Sequence, residues 1–438
     1  MENSFFLKGD ICWSSSPRLI ETRQDGFLLC ANGKSGGVFN EIPGKYRHLP
    51  VKDHSHKLII PGLTDLHTHA PQFSFRALGM DLELLEWLNV ITFPEESKYN
   101  DPGFVREAYS FFLEDIRKGA TTRLCVYATI HVPGTMLLMD MLEGSGLVSF
   151  VGKVNMDRNC PAYLVEPDAA GATREWLEAF YKRREEGRYK NTAPILTPRF
   201  IPSCSGELMK SLAEIQKENG LPVQSHLSEN REEIAWVKEL CPESESYAGA
   251  YADAGLLGGS VPTIMAHCVW SDEKEMDLLA ARKVYIAHCP QSNTNLSSGI
   301  APVRRFLEKG IPVGLGSDLA GGAHSSIFRA MTDAIQVSKL RQTLVAQTEK
   351  ALSLEEAFYL GTAGGGSFFG KPVNGSGGRR DFGPAGSFEE GWDFDALVIN
   401  DSSLAFPARQ KTRDRLERVV YLSDDRHIFE KYVRGKKL

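Results

Sequence analysis

The residues of this chain best suited to chemistry are histidines and acids that close short apolar runs. His67-Thr-His69 ends the first such run. Residues i and i+2 of an extended strand point to the same side, so both imidazoles can face one ion. His226, His267 and Asp318 close later runs. Imidazole nitrogen with carboxylate oxygen is the donor set of a borderline divalent ion such as zinc. An ion held this way keeps a position for water and lowers the pKa of that water toward ~7. Glu229 follows His226 by three residues in His-Leu-Ser-Glu, which puts a carboxyl group near the ion. Such a group can move a proton from the water to a departing amine. If the ion takes His67, His69, His226 and Asp318, His267 is left over as a proton shuttle.

Elements must bring these distant residues together. Eight apolar runs alternate with helical stretches: Gly62–His69, Thr121–Tyr127, Val148–Asn155, Ala193–Arg199, Pro222–Ser228, Thr263–Val269, Val284–Pro290 and Ile311–Asp318. Asp101–Lys118 reads as a helix with Phe104, Ala108, Phe111, Phe112, Asp115 and Ile116 near one face. Leu208–Asn219, Asn230–Leu240 and Asp272–Ala281 share that period, and Ser353 to Glu356 is a capping box opening one more helix. The pattern predicts an α/β fold, a (β/α)8 TIM-type barrel over residues 61–368, with catalytic groups at the C-terminal ends of its strands. Residues 1–60 read as short strands and hairpins, with turn signals at Asn32-Gly33 and Pro43-Gly44. Asp393–Asn400 and Arg415–Leu422 read as further strands. Residues 1–60 and 369–438 are therefore expected to meet in a small β-sandwich-like domain, interrupted by an exposed loop at Lys371–Ser387.

Composition excludes several classes. The 438 residues are 42% hydrophobic and 24% charged, ordinary for a globular protein. A net charge of −6 leaves no nucleic-acid footprint. The longest apolar stretches are strand-sized, so no membrane span is expected. The N-terminal residues lack the pattern of a signal peptide. Eight cysteines without a C-x-x-C pair read as reduced thiols of a cytoplasmic protein.

Several segments carry a family likeness. Pro61–Ser97 resembles the guanine deaminase family of amidohydrolases far beyond the generic Pro-Gly-x-x-Asp-x-His-x-His of the superfamily. Leu196–Ser205, Gln224–Asn230, Ala287–Asn293, Gly314–Gly322 and Ser387–Ile399 are similar in the same way, so the resemblance covers essentially the whole chain. It implies hydrolytic deamination of guanine to xanthine and ammonia by a zinc-activated water. One zinc ion per chain would be bound by His67, His69, His226 and Asp318. Glu229, His267 and Asp318 would be catalytic, and Gln72, Trp87, Leu88, Arg199 and Phe200, with His226 and Glu229, would hold the purine. The types fit: an amide and a guanidinium for polar ring atoms, an aromatic face for the ring. Guanine and water are the expected partners, in a homodimer. Lys371–Gly383 departs from the family pattern as an insertion away from the ligand motifs.

Other readings compete. A related deaminase acting on another purine, a pyrimidine or a triazine would share the metal motifs. A non-catalytic barrel scaffold would have lost ligands that are all present here. His54-Ser-His56 repeats the His-x-His spacing in a polar segment, and Gly33-x-Ser35-x-Gly37 matches a nucleophile elbow without a strand-to-helix switch. His288 shapes the rim, and Lys153 is the residue that could bridge two ions if carboxylated. The His-x-Glu with Pro-Cys-x-x-Cys of the other zinc deaminases is not assembled.

Overall fold

Each of the eight apolar runs carries strand in the computed structural model, which describes residues 4–370, 382–404 and 410–438. Leu63–His69, Thr121–Tyr127, Val148–Gly152 and Thr192–Pro194 form a parallel four-stranded sheet in that order. Val223–Leu227, Thr263–His267, Tyr285–His288 and Val313–Leu315 form a second. Val154–Asn155 pairs with Thr197–Pro198 beyond the first sheet. The first two strands are buried along their whole length, which is why they read as continuous rather than alternating apolar runs.

The sheets do not merge into one unbroken ladder. At one seam Leu196 N donates to Pro222 O at 2.9 Å and Gln224 N to Leu196 O at 3.0 Å. Pro194, Pro198 and Pro222 have no N–H to give there, so regular pairing lapses. At the other seam Asp318 N donates to His67 O at 2.8 Å.

The helices begin where their caps dictate. Asp101 accepts from Gly103 N at 2.8 Å and opens Pro102–Lys118. That helix buries Val105, Ala108, Tyr109, Phe112, Leu113 and Ile116, and Phe111 is instead 58% exposed. The apolar stripe runs one position to the side of the expected face, because Val105, Tyr109 and Leu113 extend it. Asn230 and Ser353 both make complete capping boxes, on Arg231–Leu240 and Leu354–Tyr359.

Both ends of the chain enter one seven-stranded mixed sheet. Its order is Lys436–Lys437, Ile428–Val433, Ala396–Ile399, Val51–Pro61, Phe5–Ser16, Leu19–Ala31, Lys34–Phe39. Among the described residues it is a single sheet, where two stacked ones were expected. Phe5–Ser16 and Leu19–Ala31 run 12 and 13 residues, longer than the short strands expected. Asn32 and Gly33, at φ +50° and +81°, make the tight turn of a hairpin. Arg415–Leu422, expected as strand, lies in the helix Thr412–Leu422. Leu416, Val419 and Val420 are buried and Glu417 faces solvent, a spacing of three and four that overrides the β preference of the valines. Of the expected loop, residues 371–381 lie outside the described residues, and Phe382, Ala385 and Ser387 are buried rather than exposed.

A buried cation joins the sheet to the strands that carry the site. The Arg123 guanidinium donates to Asp395 at 2.7 Å, to Asp393 at 2.8 Å and to the carbonyl of Gly383 at 2.9 Å. Arg123→Met is expected to leave the buried Asp395 without its cation and Asp393 with Lys34 alone, a loss of about 3–5 kcal/mol. A midpoint of urea unfolding equal to the parent's would show that this network carries no stability.

Candidate active site

Asp65 ties the first strand to the eighth. Its carboxylate accepts His67 N at 3.1 Å, Ser317 N at 3.0 Å and Ser317 Oγ at 2.5 Å. The eighth run can approach this closely because Gly316 has no side chain: a Cβ there would lie 2.8 Å from His67 Cβ and 2.8 Å from Cys289 Sγ. The backbone turns sharply where the functional groups leave the strands. Ser228, His267 and Asp318 have φ of +47°, +72° and +47°, each costing on the order of 1–3 kcal/mol.

Four donor atoms converge. His67 Nε2 lies 3.1 Å from Asp318 Oδ1 and 3.3 Å from His69 Nε2. His69 Nε2 lies 3.5 Å from Asp318 Oδ1 and 3.3 Å from His226 Nε2. A tetrahedral ion with bonds of about 2.0–2.1 Å has ligand–ligand edges of about 3.3–3.4 Å, and these four of the six separations suit a zinc-sized ion. His226 Nδ1 is 2.6 Å from the carbonyl of Arg199, which can only accept; Nδ1 therefore carries the hydrogen and Nε2 presents a lone pair. Burial holds His67 below, and His69 and His226 well below, the usual imidazole range, so all three are neutral, as metal ligands must be. Burial alone would raise the Asp318 carboxyl, but its histidine neighbours, His67 foremost, hold it well below the ordinary value. Cys289 also approaches His67 and Asp318, but burial raises its thiol far above the usual value, and it stays a protonated, poor ligand.

Two groups stand beside this set. His267 Nε2 is 3.4 Å from Glu229 Oε2 and 3.8 Å from Asp318 Oδ2, while its Nδ1 is 2.8 Å from Asn293 Oδ1. Burial, then the Asp318 charge, pushes the Glu229 carboxyl well above the carboxylate range, and Ser298 Oγ donates to it at 3.3 Å. A carboxyl raised this way is suited to give a proton and take one back.

A cavity opens over these atoms. His69, His226, Glu229, His267 and Asp318 line it, together with Gln72, Trp87, Leu88, Arg199 and Phe200. Every sequence-predicted site residue except His67, which sits behind His69, therefore faces one space. Sequence reasoning missed four others. Leu84 and Leu296 add apolar wall, and Glu233 lies behind Glu229, accepting its N–H at 3.0 Å. Glu96 is the fourth: it binds the Arg199 guanidinium at 2.5 and 3.2 Å and accepts from Gln72 Nε2 at 2.8 Å. It lies inside the family-like Pro61–Ser97, the one available signal, but a glutamate within Pro-Glu-Glu-Ser has no spacing that marks it.

The competing motifs do not assemble. His54 faces Glu430 at 3.3 Å while His56 is exposed. Ser35 donates to Phe388 O at 2.7 Å beside the hairpin turn. The Lys153 ammonium is buried and bound by Glu166 and by Val154 O at 3.1 Å. His288 is buried and does not line the cavity.

Comparisons with known proteins agree with one another. The model of the Amidohydrolase family matches residues 58–438. A guanine deaminase of Dictyostelium discoideum is 39% identical over 394 residues, 89% of this chain and 84% of that protein. A guanine deaminase of Escherichia coli strain K12 is 34% identical over 434 residues, 97% of this chain and 92% of that protein. The crystal structure of a guanine deaminase from C. acetobutylicum with bound guanine in its active site superposes with a TM-score of 0.92 at 43% identity, covering 100% of both chains.

Proposed function

We propose that this chain, which belongs to the amidohydrolase family, is a guanine deaminase that hydrolyses guanine to xanthine and ammonia. The observation that carries this reading is the cavity itself. It sets a nitrogen and oxygen donor cluster on one side and hydrogen-bond donors on Gln72 and Arg199 on the other.

Amidohydrolases generally use a divalent metal ion, and we assign one zinc per chain to His67, His69, His226 and Asp318. When bound, the ion supplies Lewis acidity and brings the pKa of a coordinated water toward ~7. The remaining work falls to this chain's residues. Phe200, Trp87 and Leu88 hold the flat ring with its C2 amino group toward the donor cluster. Arg199 and Gln72 donate to the far edge, where guanine carries its 6-oxo group. Glu229 gives a proton to the ring nitrogen beside C2 and regains one from the attacking water. His267, with Nε2 3.4 Å from Glu229, moves the other water proton toward the departing amine.

The accompanying assignments are a (β/α)8 barrel over residues 61–368 with residues 1–60 and 369–438 as a small β domain, a homodimer, and a cytoplasmic location. No helix among the described residues is long and apolar enough to cross a membrane.

A deaminase for another ring would keep the metal cluster and differ in the donor wall. Steady-state rates on guanine, adenine, cytosine and 8-oxoguanine separate the two, and guanine is expected to lead. Arg199→Ala is expected to load metal normally and to lose about 1.5–3 kcal/mol of transition-state binding, roughly one to two orders of magnitude in kcat/KM for guanine. It gains little on adenine, because deleting a donor does not place another amine over the ion. Parent-like kcat/KM in the metal-loaded variant would remove Arg199 from the substrate wall.

A further inference from the structure

Glu96 is buried, with 8% of its surface exposed, on the short helix Phe93–Ser97, and is not among the residues that line the cavity. Its carboxylate does two things at once. Oε2 and Oε1 take Arg199 Nη1 and Nη2 at 2.5 and 3.2 Å, a forked pair that fixes the plane of the guanidinium. Oε1 also accepts Gln72 Nε2 at 2.8 Å. At the other end of the same amide, Gln72 Oε1 accepts Ala320 N at 3.0 Å.

The amide is thus held from both sides. Turned over, its oxygen would face a carboxylate and its NH2 would face a backbone N–H, two repulsive contacts in place of two hydrogen bonds. One lone pair of the Gln72 oxygen is taken by Ala320 N, which fixes the amide's orientation, and one N–H is spent on Glu96. What remains for a ligand is chiefly the second N–H of Gln72 and the outer N–H groups of Arg199. The polar side chains of this part of the cavity, Gln72 and Arg199, thus present mainly N–H groups.

We infer that Glu96 is a positioning residue that sets substrate choice: by clamping Arg199 and orienting Gln72, it makes the pocket wall accept a 6-oxo purine and reject a 6-amino one. This rests on the reading of guanine as substrate. With the C2 amino group over the donor cluster, the far edge of guanine carries the 6-oxo oxygen and N7, both acceptors. 2,6-Diaminopurine keeps the reacting amine but replaces the 6-oxo group by a donor, which meets the N–H groups of the wall. A site built to hydrogen-bond one group rejects the analogue that cannot by up to about 10⁴–10⁵.

The test compares guanine with 2,6-diaminopurine in the parent, Glu96→Gln and Glu96→Asp, each with metal content measured. Glu96→Gln offers one acceptor and one donor where the carboxylate offers two acceptors, so Gln72 is no longer obliged to keep its N–H inward. The expected result is a guanine preference reduced at least tenfold, with the guanine loss carried mainly in KM rather than kcat, and substantial recovery in Glu96→Asp. An unchanged preference in metal-loaded Glu96→Gln would overturn the assignment. A second measurement uses the parent alone and needs no variant to fold. Hypoxanthine, which keeps the 6-oxo edge and lacks the 2-amino group, should inhibit at least tenfold more tightly than adenine. Equal inhibition would also overturn it. Failure of the parent to act on guanine would instead fault the underlying reading of function.

Discussion

Stripping the metal from this protein is expected to lower guanine turnover by at least ~10³-fold, and one equivalent of zinc per chain is expected to restore it. The expectation comes from the donor spacing. Three neutral imidazoles and a carboxylate present atoms 3.1–3.5 Å apart, and bare lone pairs at that separation repel unless a cation lies among them. Glu229 and His267 can carry protons, but neither supplies the Lewis acidity that lowers the pKa of a bound water. The fold should survive, because the ligands sit at strand ends while a continuous apolar core lies beneath and around them. Circular dichroism before and after chelation separates loss of metal from loss of structure. Undiminished turnover in thoroughly metal-free protein would contradict the assignment of the cluster.

Glu229→Gln is expected to retain the metal and lose roughly 10²–10⁴-fold in kcat. The amide matches the carboxyl in shape and can still accept from Ser298, so KM for guanine should change little. It cannot give a proton to the ring nitrogen or take one from water. The backbone at this position is anchored, with the N–H of Glu229 donating to Glu233 at 3.0 Å and Glu233 held in turn by Tyr247 at 2.7 Å. The variant therefore keeps its geometry and isolates the proton. Near-normal kcat in a metal-loaded protein would assign the proton transfer elsewhere, with His267 the next group in reach.

How much of this was legible in the sequence depended on how local the signal was. His67 and His69 declare themselves because a strand repeats every two residues, and His226, His267 and Asp318 because each follows an apolar run that becomes a strand. Gln72 and Arg199 were marked by family likeness, not by spacing. Their partner Glu96 was invisible, since the contact between Glu96 and Arg199 spans 103 positions and exists only once the first and fourth strand ends share a rim. The helix Thr412–Leu422 was misread because Val419, Val420, Tyr421 and Leu422 together look like a strand, and only the burial of Leu416 with Val419 and Val420 reveals the helical stripe. Phe111 departs for a related reason: the buried stripe is completed by Val105, Tyr109 and Leu113 on the other side of Phe112, which turns Phe111 toward solvent.

The most direct test of the central claim is guanine turnover by the zinc-loaded protein in water enriched in oxygen-18, with xanthine followed by mass and ammonia by titration. Hydrolysis at C2 breaks one carbon–nitrogen bond and adds one water oxygen. The account predicts one xanthine carrying a single heavy oxygen and one ammonia for each guanine consumed. Guanine left unchanged, or xanthine without the heavy oxygen, would contradict it.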